Sequence, residues 1–96
     1  MKKIRAHVII SGRVQGVCYR QGAFQKAVEL GLKGWVRNLY NGDVEAVFEG
    51  EENLVEKMLE WCKEGPSLAK VLHMEVDKQS CLDSFSDFSI KSTFGW

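Results

Sequence analysis

Polar and apolar residues alternate with a period of two at the start of this chain. Ile4, Ala6, Val8 and Ile10 fall in one phase, and Arg5, His7 and Ile9 in the other. That pattern predicts a strand with one buried face. A glycine-bounded loop follows. Ala23, Phe24, Ala27, Val28 and Leu30 then recur at helical spacing, and Gly31 supplies a C-terminal stop. The run from Trp35 to Tyr40 is aromatic and β-branched enough for a second strand, and Asn41-Gly42 signals a two-residue type I′ hairpin turn. On the return strand, which ends at Gly50, Val44, Ala46 and Phe48 alternate with Glu45, Val47 and Glu49.

The second helix has the sharpest pattern. Leu54, Val55, Met58, Leu59, Trp61 and Cys62 form one stripe, while Glu51, Glu52, Glu56, Lys57, Glu60 and Lys63 face away, and Gly65-Pro66 ends it. A fourth strand places Leu72, Met74 and Val76 on one face. A polar stretch from Asp77 to Asp87 precedes a short last strand through Phe88 and Ile90. The order β-α-β-β-α-β predicts an antiparallel sheet with both helices on one face, because that arrangement buries two apolar helix stripes at once.

Composition narrows the setting. Ninety-six residues are read as one domain, residues 1–96, and 45% hydrophobic with 27% charged content is ordinary for a soluble globular protein. Formal net charge is zero, so no general field draws the chain to nucleic acid or to an anionic membrane. Anion recognition must then be local. Cys18, Cys62 and Cys81 are odd in number and lack C-x-x-C spacing, which argues against a disulfide framework or a zinc site and for a reducing cytoplasm. The basic start Met1-Lys2-Lys3-Ile4-Arg5 does not open a signal peptide, and no apolar run approaches a membrane span. The expectation is a complete cytoplasmic monomer with no metal, no cofactor and no membrane or nucleic-acid partner.

Candidate chemistry lies in the first loop. In Gly12-Arg13-Val14-Gln15-Gly16-Val17-Cys18-Tyr19-Arg20, glycines let main-chain N–H groups turn toward one point, just before a helix N-terminus. Arg20 adds a planar, permanently charged fork that matches phosphate oxygens. Alone, such a loop is more often only a turn. It lacks the Lys-Ser/Thr of a P-loop and the G-x-G-x-x-G of a dinucleotide fold. An arginine is mildly disfavoured at a helix start, however. Asn38 is likewise a poor strand former, although the nearby turn could account for it. His7 and His73 sit in polar strand phases, Cys62 in the core stripe, and Trp35 and Trp61 read as core rather than as ligand platforms. Cys81 and Trp96 carry no evident role.

Four stretches together resemble the acylphosphatases, small cytosolic hydrolases of acyl phosphates. They are the loop from Gly12 to Arg20, Leu30-Gly31-Leu32-Lys33-Gly34-Trp35-Val36-Arg37-Asn38, Asn41-Gly42-Asp43-Val44-Glu45, and Gly65-Pro66-Ser67-Leu68-Ala69-Lys70-Val71. The resemblance implies an α+β sandwich of ferredoxin-like βαββαβ topology. It also implies a phosphate cradle from the backbone of Gln15, Gly16, Val17, Cys18, Tyr19 and Arg20. Arg20 would bind the phosphoryl group, and Asn38 would orient the attacking water. A site of amides and one arginine fits this chemistry, since phosphoryl transfer asks mainly for positioning and charge stabilisation. A cysteine-phosphatase reading of Cys18 fails on spacing. Such enzymes set five residues between cysteine and arginine, whereas only Tyr19 separates Cys18 from Arg20, and position 24 is Phe24. Cys18 reads instead as a small loop filler.

Two other classes compete. An RNA-recognition module shares the βαββαβ order, and Lys33-Gly34-Trp35-Val36-Arg37-Asn38-Leu39-Tyr40 echoes its aromatic RNP1 pattern at Lys33, Gly34 and Tyr40, but on the second strand rather than the third. A non-catalytic phosphate-binding relative of the same fold is the other.

Overall fold

The computed structural model describes residues 2–93, so Trp96 lies outside the described residues. Seven elements follow one another: β1 (Lys3–Arg13), α1 (Tyr19–Glu29), β2 (Lys33–Asn38), β3 (Val44–Glu51), α2 (Glu52–Glu64), β4 (Lys70–Ser80) and β5 (Phe88–Ile90). The strands form a single sheet in the order β4-β1-β3-β2-β5. Its first four strands pair antiparallel, as the sequence predicts, while β5 runs parallel to β2 and makes the sheet mixed. The parallel pair follows from the connection. Residues 81–87 must cross from one sheet edge to the other before β5 begins, and the crossing sets its direction.

Register decides which side chains meet the helices. Ile10 lies opposite Val44, and Val44 opposite Asn38; Val8, Ala46 and Val36 form the next row, and Ala6, Phe48 and Gly34 the third. These rows close a core with Ala23 and Ala27 of α1 and Val55, Met58, Leu59 and Cys62 of α2. Both helices therefore cover one face, and Asn38 ends a row that is otherwise apolar. Helix α1 stops in a Schellman motif: Gly31 N–H bonds to Val28 O at 3.0 Å and Leu32 N–H to Ala27 O at 2.9 Å. Val28, expected on the apolar stripe, is exposed instead, and Leu30 caps the helix rather than extending it. The true stripe is the narrower set Ala23 and Ala27, with Phe24 partly buried beside it.

The opposite sheet face corrects several expectations. Trp35 is half-buried there, outside the core, because it shares a phase with Arg37 and Lys33. Lys91 and Arg37 lie 4.6 and 5.0 Å from its ring centroid. His7 is no free surface residue; its Nε2 lies 2.7 Å from Glu45 Oε2, while Arg37 donates to Glu45 Oε1 at 2.7 Å. Glu49 is buried under the 81–87 connection, accepting from Arg5 Nε at 3.0 Å and from Leu82 N–H at 3.3 Å. The expected polar stretch is thus part strand and part cover for a buried ion pair.

The hairpin differs from a type I′ turn. Gly42 N–H bonds to Leu39 O at 3.2 Å, and Leu39 N–H to Asp43 O at 2.8 Å, enclosing three residues. Asn41 does not adopt positive φ, whereas Gly42 does at 98°. A type I′ turn needs both, so β2 ends at Asn38 and a three-residue loop with a left-handed glycine takes its place.

Candidate functional site

The loop from β1 to α1 and the end of β2 open onto one pocket of about 460 Å³, lined by Val14, Gly16, Cys18, Tyr19, Arg20, Gln21, Asn38 and Ile90. Two residues in it hold left-handed backbone: Gly16 at φ 76° and Cys18 at φ 65°. A Cβ on Gly16 would meet no protein atom within 4 Å, so conformation rather than crowding asks for glycine there. Cys18 is a non-glycine residue in this region, a strained geometry of the kind that occurs at ligand clamps. It is the N-cap of α1 and its thiol is exposed, so it does not fill the loop as a small core residue.

The turn at Cys18 starts a helix whose first main-chain donors have no carbonyl behind them. Among the described residues, no N–H from Gln15 to Arg20 donates to a main-chain carbonyl or a side chain, and Arg20 has neither a hydrogen bond nor an ion pair. The six sequence-predicted cradle residues therefore form one continuous donor-rich turn. All but Gln15 and Val17 line the pocket directly. Val17 is buried. The Tyr19 side chain also points inward: its hydroxyl donates to Cys62 O at 2.6 Å, and its ring lies 5.3 Å from Trp61. Burial pushes the Tyr19 phenol far above its ordinary range, leaving it a neutral anchor between the helices. Burial likewise pushes the Cys62 thiol up to about 12, which makes it inert core.

Asn38 approaches from the sheet. The residue is 9% exposed, and its Oδ1 is buried with no hydrogen-bond partner within the protein. An amide oxygen so placed is an acceptor without a donor, which costs about 1–3 kcal/mol. The loop with its unpaired donors, the free Arg20 guanidinium and the Asn38 residue thus line the same pocket. They can hold a tetrahedral oxyanion on one side and a small donor such as water on the other. Among the described residues, no three His, Cys, Asp or Glu side chains group as metal ligands.

Sequence reasoning gave Gln15 a backbone role only. Its side chain reaches across to the hairpin, where Nε2 donates to Leu39 O at 2.7 Å and to Asp43 O at 2.8 Å. Ile90 was also missed as a pocket residue, because its place beside Val36 depends on the parallel β5 pairing.

Comparison with known proteins gives the family and the fold. The acylphosphatase family model matches residues 6–90. An acylphosphatase of Pelotomaculum thermopropionicum is 46% identical over 90 residues, covering 94% of this chain and 98% of that protein. The crystal structure of acylphosphatase from Bacillus subtilis superposes with a TM-score of 0.88 at 35% identity, covering 92% of this chain and 98% of the other. An acylphosphatase structure from Coxiella burnetii gives 0.87 at 40% identity, over 94% of each chain. With sequence and fold matched over nearly its full length, this chain belongs to the acylphosphatase family.

Proposed function

We propose that this protein hydrolyses the carboxyl–phosphoryl anhydride bond of small acyl phosphates, giving a carboxylate and inorganic phosphate. One observation carries the reading: Arg20, with no partner for its guanidinium, the cradle residues Gly16, Cys18 and Tyr19, and Asn38 line one pocket. The N–H groups from Gln15 to Arg20 and the guanidinium bind the phosphoryl oxygens and stabilise the charge that spreads over them. The Asn38 carboxamide hydrogen-bonds the water and holds its lone pair toward phosphorus. A carboxamide is too weak a base to remove the proton, which passes to a phosphoryl oxygen. The water oxygen bonds to phosphorus, the bond between phosphorus and the acyl oxygen breaks, and its electron pair leaves with the carboxylate.

A carboxylate departs without a strong acid, so amides, one guanidinium and one carboxamide supply what the reaction needs, with no metal or cofactor. The protein acts as a single-domain monomer. Three free cysteines fit a cytoplasmic setting, and no helix among the described residues is long and apolar enough to cross a membrane. RNA binding is disfavoured by zero net charge and by Trp35, whose ring is covered by Arg37 and Lys91 rather than open to a base. The test is an assay of the purified protein on acetyl and benzoyl phosphate with excess chelator, using a phosphate monoester as control. Hydrolysis of the acyl phosphates alone is expected; equal rates on the monoester, or loss of activity to chelator, would contradict the reading.

A further inference from the structure

Gln15 stands at the start of the cradle, yet the cradle does not use its side chain. Both N–H groups of its carboxamide are spent on the hairpin, at 2.7 Å from Leu39 O and 2.8 Å from Asp43 O. These carbonyls flank the base of the three-residue loop. Leu39 follows Asn38 directly, and Asp43 precedes Val44, the cross-strand partner of Asn38. The two hydrogen bonds therefore join the loop that holds the anion to the strand end that holds Asn38. Helix α1 packs on β2 farther along, through the Ala23 and Ala27 face. An amide NH2 is suited to this bridge, because it offers two donors from one atom and carries no charge to compete with the anion.

We infer that Gln15 is a positioning residue for turnover, fixing the separation between the phosphate cradle and the water held by Asn38. The inference rests on the acylphosphatase reading. Binding of the phosphoryl group needs only the cradle and Arg20, so it tolerates loss of the bridge. In-line attack needs the water and phosphorus in register, and small misplacements of that kind cost up to about 100-fold in rate.

The experiment compares Gln15→Ala and Gln15→Leu, singly and combined with Asn38→Ala. Steady-state kinetics on benzoyl phosphate and competitive inhibition by inorganic phosphate are the readouts, and thermal melts confirm folding. Gln15→Leu preserves bulk while removing both donors, so a filler role would leave its kcat at the wild-type value. Positioning predicts instead that kcat falls by about 10- to 100-fold in both variants while inhibition by phosphate is retained. It also predicts that neither substitution lowers kcat further in the Asn38→Ala background. Wild-type kcat in Gln15→Leu, or losses that multiply with that of Asn38→Ala, would overturn the inference. The proposed function would survive that outcome, since it is judged on the wild-type protein's selective, chelator-insensitive hydrolysis of acyl phosphates.

Discussion

Arg20 is the residue whose chemistry has no structural substitute in the pocket. It sits in the first turn of α1, where the helix field disfavours a cation, and it forms no ion pair that would repay that cost. An anion bound at the same helix end reverses the sign, because the guanidinium and the free N–H groups then act on one charge. Arg20→Gln keeps a donor but removes the charge and the fork. We expect kcat on benzoyl phosphate to fall by about 10²–10³-fold or more, with inhibition by inorganic phosphate weakened in parallel. Near-normal turnover would remove Arg20 from its central role. The sequence made this residue visible through its unusual place next to a glycine-bounded loop. The second use of Gln15 stayed hidden, because nothing local reveals that a side chain at position 15 reaches Leu39 and Asp43.

Among the elements, α1 carries the site and α2 holds α1 in place. The link is Tyr19, first residue of α1, whose buried hydroxyl donates to the Cys62 carbonyl of α2. Tyr19→Phe leaves that carbonyl without this donor at a cost of about 1–3 kcal/mol. For a domain of this size each kcal/mol lowers Tm by about 4–8 °C, and a calorimetric melt within 2 °C of wild type (about 0.5 kcal/mol or less) would show the tie to be unimportant. The elements themselves were readable wherever hydrophobic periodicity was long, as in β1 and α2. Faces were harder to assign. Trp35 and Val36 both look like core residues in a strand, and only the pairing of Val36 with Ala46 shows which one faces the helices. The hairpin was misjudged by a residue or two because Asn-Gly fits more than one turn, and Gly42 alone takes the left-handed conformation here.

Across the whole molecule, two faces divide the work: one packs and presents the site, and the other is laced by ion pairs. On the second face, burial would raise the Glu45 carboxyl, but hydrogen bonds from His7 and Arg37 outweigh it and hold it below the ordinary range. A depressed folded value means stability that is present above the unfolded value, about 4.3, and lost as pH falls through the folded one. Unfolding free energy should therefore decline with acid in that window, and Glu45→Gln should flatten the decline when denaturant midpoints are compared from pH 6 down to about 2.5. An equally steep decline in the variant would assign the loss to other carboxylates.

The βαββαβ order was legible from periodicity, but the fifth strand's parallel pairing was not. That pairing depends on residues 81–87 crossing the sheet over Arg5 and Glu49, contacts distant in sequence. Pairing of β2 with β3 and of β3 with β1 brings Asn38 to the pocket, where, as proposed, it and Arg20 divide the labour of catalysis. That division is tested most directly by Asn38→Ala, measuring kcat on benzoyl phosphate and the inhibition constant of inorganic phosphate in one preparation. A steep fall in kcat with phosphate inhibition preserved is expected. A folded variant that loses phosphate binding together with turnover, or that keeps wild-type kcat, would contradict it.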